Sequence, residues 1–157
     1  MACEFLYNPI QEVALNAPIL FDISIPCGRG NVYHENNTGN FILKGANSTS
    51  CCNQFAQYQV TFNGNIGIPE GGDITPIAVA IAVNGEPRLT SRAIYVPTAT
   101  TETDDFGNVT STAIIKVPRC CCFSLSVDSV PATTDPMVTP APLIDVQNAN
   151  LTITRIA

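Results

Sequence analysis

The stretch QFAQYQVTF, residues 54–62, decides the fold. Ala56, Tyr58, Val60 and Phe62 occupy every second position, with Gln57, Gln59 and Thr61 between them. Successive side chains of an extended chain point to opposite faces. This is therefore a strand with one apolar face for a core and one amide- and hydroxyl-bearing face for water. A helix needs apolar residues at i, i+3, i+4 and i+7, and no window of the chain sustains that spacing.

The same period of two recurs in both directions. PILFDISIP (18–26) puts Ile19, Phe21, Ile23 and Ile25 on one face and Leu20, Asp22 and Ser24 on the other. PIAVAIAVNGEP (76–87) sets Ile77, Val79, Ile81 and Val83 against Ala78, Ala80 and Ala82. It closes on Asn84-Gly85, a hairpin signal because both residues tolerate positive φ. TSTAIIKVP (110–118) runs to Pro118, and CFSLSVDS (122–129) places Phe123, Leu125 and Val127 inward with Ser124, Ser126 and Asp128 outward. ANLTITRIA (149–157) sets Leu151 and Ile153 against Thr152 and Thr154. Weaker segments at 13–15, 32–35, 41–44 and 92–96 bring the expected total to about eight to ten strands, separated by loops rich in Gly, Pro and Asn. The prediction is an all-β, antiparallel sandwich or barrel. Its expected core is Phe21, Tyr58, Val60, Phe62, Leu125, Leu151 and Ile153. One domain is expected over 13–157, after an N-terminal arm at 1–12. The Pro-rich stretch 130–142 reads as a long surface loop. The Ala78/Ala80/Ala82 face is apolar where a solvent face would be polar, which predicts either a second layer of the same domain or a subunit interface.

Composition narrows the function. A chain of 157 residues with 45% hydrophobic and only 13% charged residues is long enough to bury roughly two-thirds of its unfolded surface in one domain, and its balance opposes disorder. A net charge of −6 without a Lys/Arg cluster argues against nucleic-acid binding. MACEFLYNPIQEV lacks the basic and apolar regions of a signal peptide, and no stretch approaches the ~20 apolar residues of a membrane span. The expectation is a soluble protein, made in a cytoplasm without export and with no membrane partner. Sequons at Asn36, Asn47, Asn108 and Asn150 read as by-products of Asn- and Thr-rich loops.

Catalytic signatures are missing. His34 is the one histidine, in a turn-rich stretch, and is expected at the surface or a subunit contact. No Ser or Cys stands in a nucleophile-elbow context. Glu102, Asp104 and Asp105 form an acidic run that fits either oxygen ligation of calcium or a solvated hairpin tip. GRG at 28–30 is too short for a phosphate loop. The prediction is no enzyme and no cofactor.

Taken together, the segments resemble the jelly roll of the complement and tumour necrosis factor-like superfamily, in its bacterial and bacteriophage branch of virion and spore surfaces. VALNAPILFD (13–22) resembles the opening strand. TGNFILKGANSTSCCNQFAQYQVTFNGNI (38–66) is similar to a strand, turn and Y-x-V-x-F strand, with Cys51-Cys52 where the pattern has Pro-Gly. IAVAIAVNGEPRLTSRAI (77–94), STAIIKVPRCCCFSLSV (111–127) and ANLTITRIA (149–157) resemble later strands. The resemblance covers 13–157. It implies a homotrimer with the terminal strand near the threefold axis and both chain ends at one pole. It also implies that the strand after Cys52 pairs antiparallel with the one ending at Pro118.

On that pairing Cys51, Cys52, Cys120, Cys121 and Cys122 gather at one pole, with Cys27 able to join them. Three readings stay open: disulfides formed after release from a reducing cell, a metal site, or free thiols acting as small hydrophobes. Adjacent cysteines of a strand point to opposite faces and no CxxC spacing exists, so Cys51, Cys52, Cys120, Cys121 and Cys122 make weak metal candidates. Seven is odd, and Cys3 is expected to be left over. The arm, with Cys3, Phe5, Leu6 and Tyr7, is expected to grip a capsid or fibre protein. The function expected is a non-enzymatic virion-surface trimer, a capsid decoration or head-fibre domain, able to adhere to host glycans. The alternatives are a spore- or cell-surface protein of the same fold and a cysteine-based metal-binding module.

Overall fold

Two six-stranded antiparallel sheets face each other. They are seen in a computed structural model that describes residues 2–25, 30–47 and 54–157. In chain order the strands are β1 (Ala2–Tyr7), β2 (Gln11–Ala14), β3 (Ile23–Ile25), β4 (Val32–His34), β5 (Phe41–Lys44), β6 (Phe55–Gly67), β7 (Ile77–Val83), β8 (Glu86–Pro87), β9 (Ala93–Tyr95), β10 (Gly107–Pro118), β11 (Cys122–Pro131) and β12 (Leu143–Arg155). The first sheet runs β10-β6-β12-β1-β3, with β2 also on β12. The second runs β4-β5-β11-β7-β8, with β9 also on β7. This is a jelly-roll sandwich.

The alternation in 54–62 does what it implies. Ala56, Tyr58, Val60 and Phe62 are fully buried, facing Leu125, Val127, Phe41 and Leu43 of the opposite sheet within one core. Burying each large apolar side chain contributes roughly 1.5–3 kcal/mol. Phe21, Leu125, Leu151 and Ile153 lie in the same core. Phe5 stands edge-to-face on Phe41 at 4.6 Å, and Phe21 does the same from 5.6 Å. Tyr58 carries a hydroxyl into this interior and satisfies it by donating to the Lys44 carbonyl at 2.5 Å and the Asn31 carbonyl at 3.2 Å. Burial raises its pKa.

The pairing of the two cysteine-flanked strands is as the resemblance implies: Phe55 lies opposite Pro118, and β6 and β10 run antiparallel to Gly107 opposite Ile66. In β12 the inward residues change parity, from Ile144 and Val146 to Ala149, Leu151 and Ile153. A bulge between Gln147 and Asn150 absorbs the extra residue, and Asn148 takes the left-handed conformation, φ 54°, that Asn tolerates.

Four expectations are corrected. Residues 2–7 are no arm: β1 lies between β12 and β3, with Ala2 opposite Thr154 and Tyr7 opposite Ala149. Cys3 and Phe5 are core residues, Tyr7 packs against that core and Leu6 is half-buried on the other face. Second, Ile23 and Ile25 are exposed rather than sharing the buried face of Ile19 and Phe21. The chain crosses between sheets here: Asn16 and Ile19 donate to carbonyls of β11, and Asp22 then donates to Leu6 of β1. Third, Ser126 and Asp128 are buried, and the Ser126 hydroxyl donates to Asp128 at 2.7 Å. Fourth, His34 is not a free surface group. It stacks on Phe41 at 4.3 Å, and its Nε2 lies 2.9 Å from the Thr38 carbonyl. The alanine face resolves toward a layer within the chain: Ala78, Ala80 and Ala82 are fully buried, and Ala78 and Ala80 cluster with Val130 and Ala132.

Candidate functional site

The outer face of the first sheet is a grid built by register. One row reads Ile23, Leu6, Asn150, Asn63, Thr110; the next reads Ile25, Glu4, Thr152, Thr61, Thr112. Ala2, Thr154, Gln59 and Ile114 follow, and Gln147, Asn65 and Asn108 lie above. Among the described residues the charged ones of this face are Glu4 and Lys116 and, at the end where β2 joins, Glu12 and Asp145. The amides are ordered by one another: Asn108 donates to Asn63 at 2.9 Å and to Asn65 at 3.0 Å, and Asn150 donates to Glu4 at 2.6 Å. Thr61 and Thr112 hydroxyls meet at 3.3 Å. Such pre-ordered side chains lose little freedom when covered.

Both sides of the sandwich expose large apolar residues. On the β3/β4 side are Leu20, Ile23, Ile25 and Tyr33; on the β9/β10 side are Leu89, Ile94, Val96 and Ile114. The latter side is braced across the sheets by Arg88 donating to the Ile114 carbonyl at 3.1 Å and Ser111 donating to the Ser91 carbonyl at 2.6 Å.

The β10–β11 turn carries Cys120, Cys121 and Cys122 as free, exposed thiols. They are neither bridged nor buried, which corrects both the disulfide and the small-hydrophobe expectation for these three. Cys121 N–H donates to the Pro118 carbonyl and Cys120 has φ 61°, a left-handed position that usually falls to Gly. Cys3, expected to be left over, is instead disulfide-bonded and buried. Cys27, Cys51 and Cys52 lie outside the described residues. Among the described residues no group of three or more His, Cys, Asp or Glu is arranged to hold a metal ion.

Charge is split between the two ends. Lys44, Lys116, Arg119 and Arg155 lie toward the thiol end, where Lys44 is opposite Cys122 and Lys116 opposite Gln57. At the other end Glu12, Glu70 and Asp73 rim a cavity of about 230 Å³ floored by Ile68, Ala141 and Leu143. Glu102, Asp104 and Asp105 sit at that end too, on the loop before β10. The Asp105 carboxylate accepts from the Tyr95 hydroxyl and from the backbone N–H groups of Thr98 and Ala99. These bonds hold its pKa low. It ties a loop together, a role that neither sequence reading of the acidic run contained.

No family model and no curated protein matches the chain. Among solved structures the globular domain of zebrafish complement 1qA protein is similar, with a TM-score of 0.58 at 11% identity, over 99% of this chain and 97% of that one. The likeness is one of fold: this chain has the complement C1q-type, tumour necrosis factor-like jelly roll.

Proposed function

We propose that this chain is a non-enzymatic structural and binding module that assembles as a homotrimer on the exterior of a bacteriophage particle. The observation that carries the assembly is the pairing of two unlike apolar sides, Ile23/Ile25/Tyr33 and Leu89/Ile94/Val96, flanking one polar sheet face. Different patches on opposite sides fit a head-to-tail contact, which closes into a ring when the rotation allows. Three copies would then cover the aliphatic residues and leave the polar loops outside for a host glycan. The placement on a virion, as capsid decoration or head-fibre domain made in the host cytoplasm, rests on the sequence resemblance of 13–157. Contact with a capsid or fibre protein would come from the exterior of the sandwich rather than from residues 2–7.

Light scattering and native mass measurement test the assembly. The expected mass is that of three chains at micromolar concentration, falling to one chain in Ile25→Glu and in Ile94→Glu with the circular dichroism of a folded sheet retained. A single-chain mass for the unmodified protein would overturn the trimer. Protein analysis of purified phage particles tests the placement, and absence of the chain from them would remove it.

A further inference from the structure

We propose that the turn carrying Cys120, Cys121 and Cys122 is a site of mixed-disulfide formation with small acidic disulfides of the glutathione kind. Three features carry this.

First, the thiols are free and exposed on a rigid support. The turn backbone is pinned from both neighbouring strands: Gly45 N–H donates to the Cys121 carbonyl at 2.8 Å, and Arg119 N–H donates to the Gln54 carbonyl at 2.8 Å. Second, cations flank them. Lys44 lies directly opposite Cys122 across the antiparallel pair, so their side chains leave the same face, and Arg119 is next to Cys120. Glutathione disulfide carries more carboxylates than ammonium groups, and this end of the molecule would attract it although the chain as a whole is acidic. Glu86 lies on the hairpin along the other edge of β11.

Third, the turn opposes the usual fate of a mixed disulfide beside a second thiol. In the first step a turn thiolate attacks one sulfur of the disulfide. A new S–S bond joins protein to glutathione, and the other half leaves as a thiolate that takes up the proton. An adjacent cysteine would normally displace the second half and close a ring. Closure between neighbouring residues makes a tight ring that strains the peptide joining them. Here both Cys–Cys peptides are held. Cys121 N–H is bonded to Pro118 and the Cys121 carbonyl to Gly45. These bonds oppose closure between neighbours and favour a retained adduct, with closure between Cys120 and Cys122 the competing outcome that the test reads.

The test uses the full chain, glutathione disulfide and intact-mass measurement with peptide mapping. The expected result is a retained glutathione on the peptide containing 120–122, absent when Cys120, Cys121 and Cys122 are all changed to Ser. Lys44→Gln combined with Arg119→Gln should slow the reaction about tenfold at low salt. The rate with uncharged hydroxyethyl disulfide should be unchanged. No reaction, an adduct confined to other cysteines, or loss of two turn thiols without a retained glutathione would overturn the proposal. Equal slowing with both disulfides would overturn the role of the two cations.

Discussion

Tyr58 joins an apolar ring, which the core requires, to a hydroxyl whose two carbonyl acceptors come from the Lys44 and Asn31 backbone. Tyr58→Ser should cost about 3–5 kcal/mol, read as a fall in the denaturant midpoint. Tyr58→Phe should cost about 1 kcal/mol for the lost hydrogen bonds. Asp128 has the opposite character. Burial raises its carboxyl pKa, partly offset by the Ser126 hydroxyl. The folded state then holds the proton more tightly than the unfolded chain. Stability is greatest below the ordinary aspartate value and declines as pH rises through the raised one. Asp128→Asn keeps an acceptor for Ser126, so it should raise the melting temperature at pH 7 and change little in acid. A lower melting temperature at neutral pH would refute this. Side-chain alternation made Tyr58 readable as core from sequence. Asp128 was not readable as buried, because nothing in SLSVDS shows that the outer face of β11 is covered.

At the scale of elements, β6 and β10 were legible because alternation runs unbroken through each, and their pairing was what the family resemblance implied. β1 was missed for want of length: ACEFLY alternates Cys3, Phe5 and Tyr7, but six residues can equally be an exposed arm. That Cys3-Phe5-Tyr7 spacing was the available signal. The parity change in β12 was hidden too, since a bulge shows in sequence only as a misplaced Asn. Removing residues 1–7 deletes a strand with partners on both edges and strips Phe5 from its ring contacts with Phe41 and His34. The loss of Phe5 alone is worth about 3–5 kcal/mol. The truncated chain should therefore be unfolded or aggregated at room temperature, and a cooperative thermal transition close to that of the full chain would contradict the placement of β1.

For the whole molecule, the jelly roll was legible and the exposure of its thiols was not. The family resemblance implied that the cysteine stretches share one end, yet whether a turn thiol points into packing or into water depends on backbone conformation at Cys120 that no residue pattern dictates. The same holds for the aliphatic sides, which alternation assigns to faces but not to the margins of a sandwich. The separation of acidic and basic loops has a consequence of its own. With Glu12, Glu70, Asp73, Glu102, Asp104 and Asp105 at one end and Lys44, Lys116, Arg119 and Arg155 at the other, the sandwich carries an electric dipole. On a positively charged support it would stand upright on its acidic loops, presenting the Cys120–Cys122 tip outward like the head of a pin.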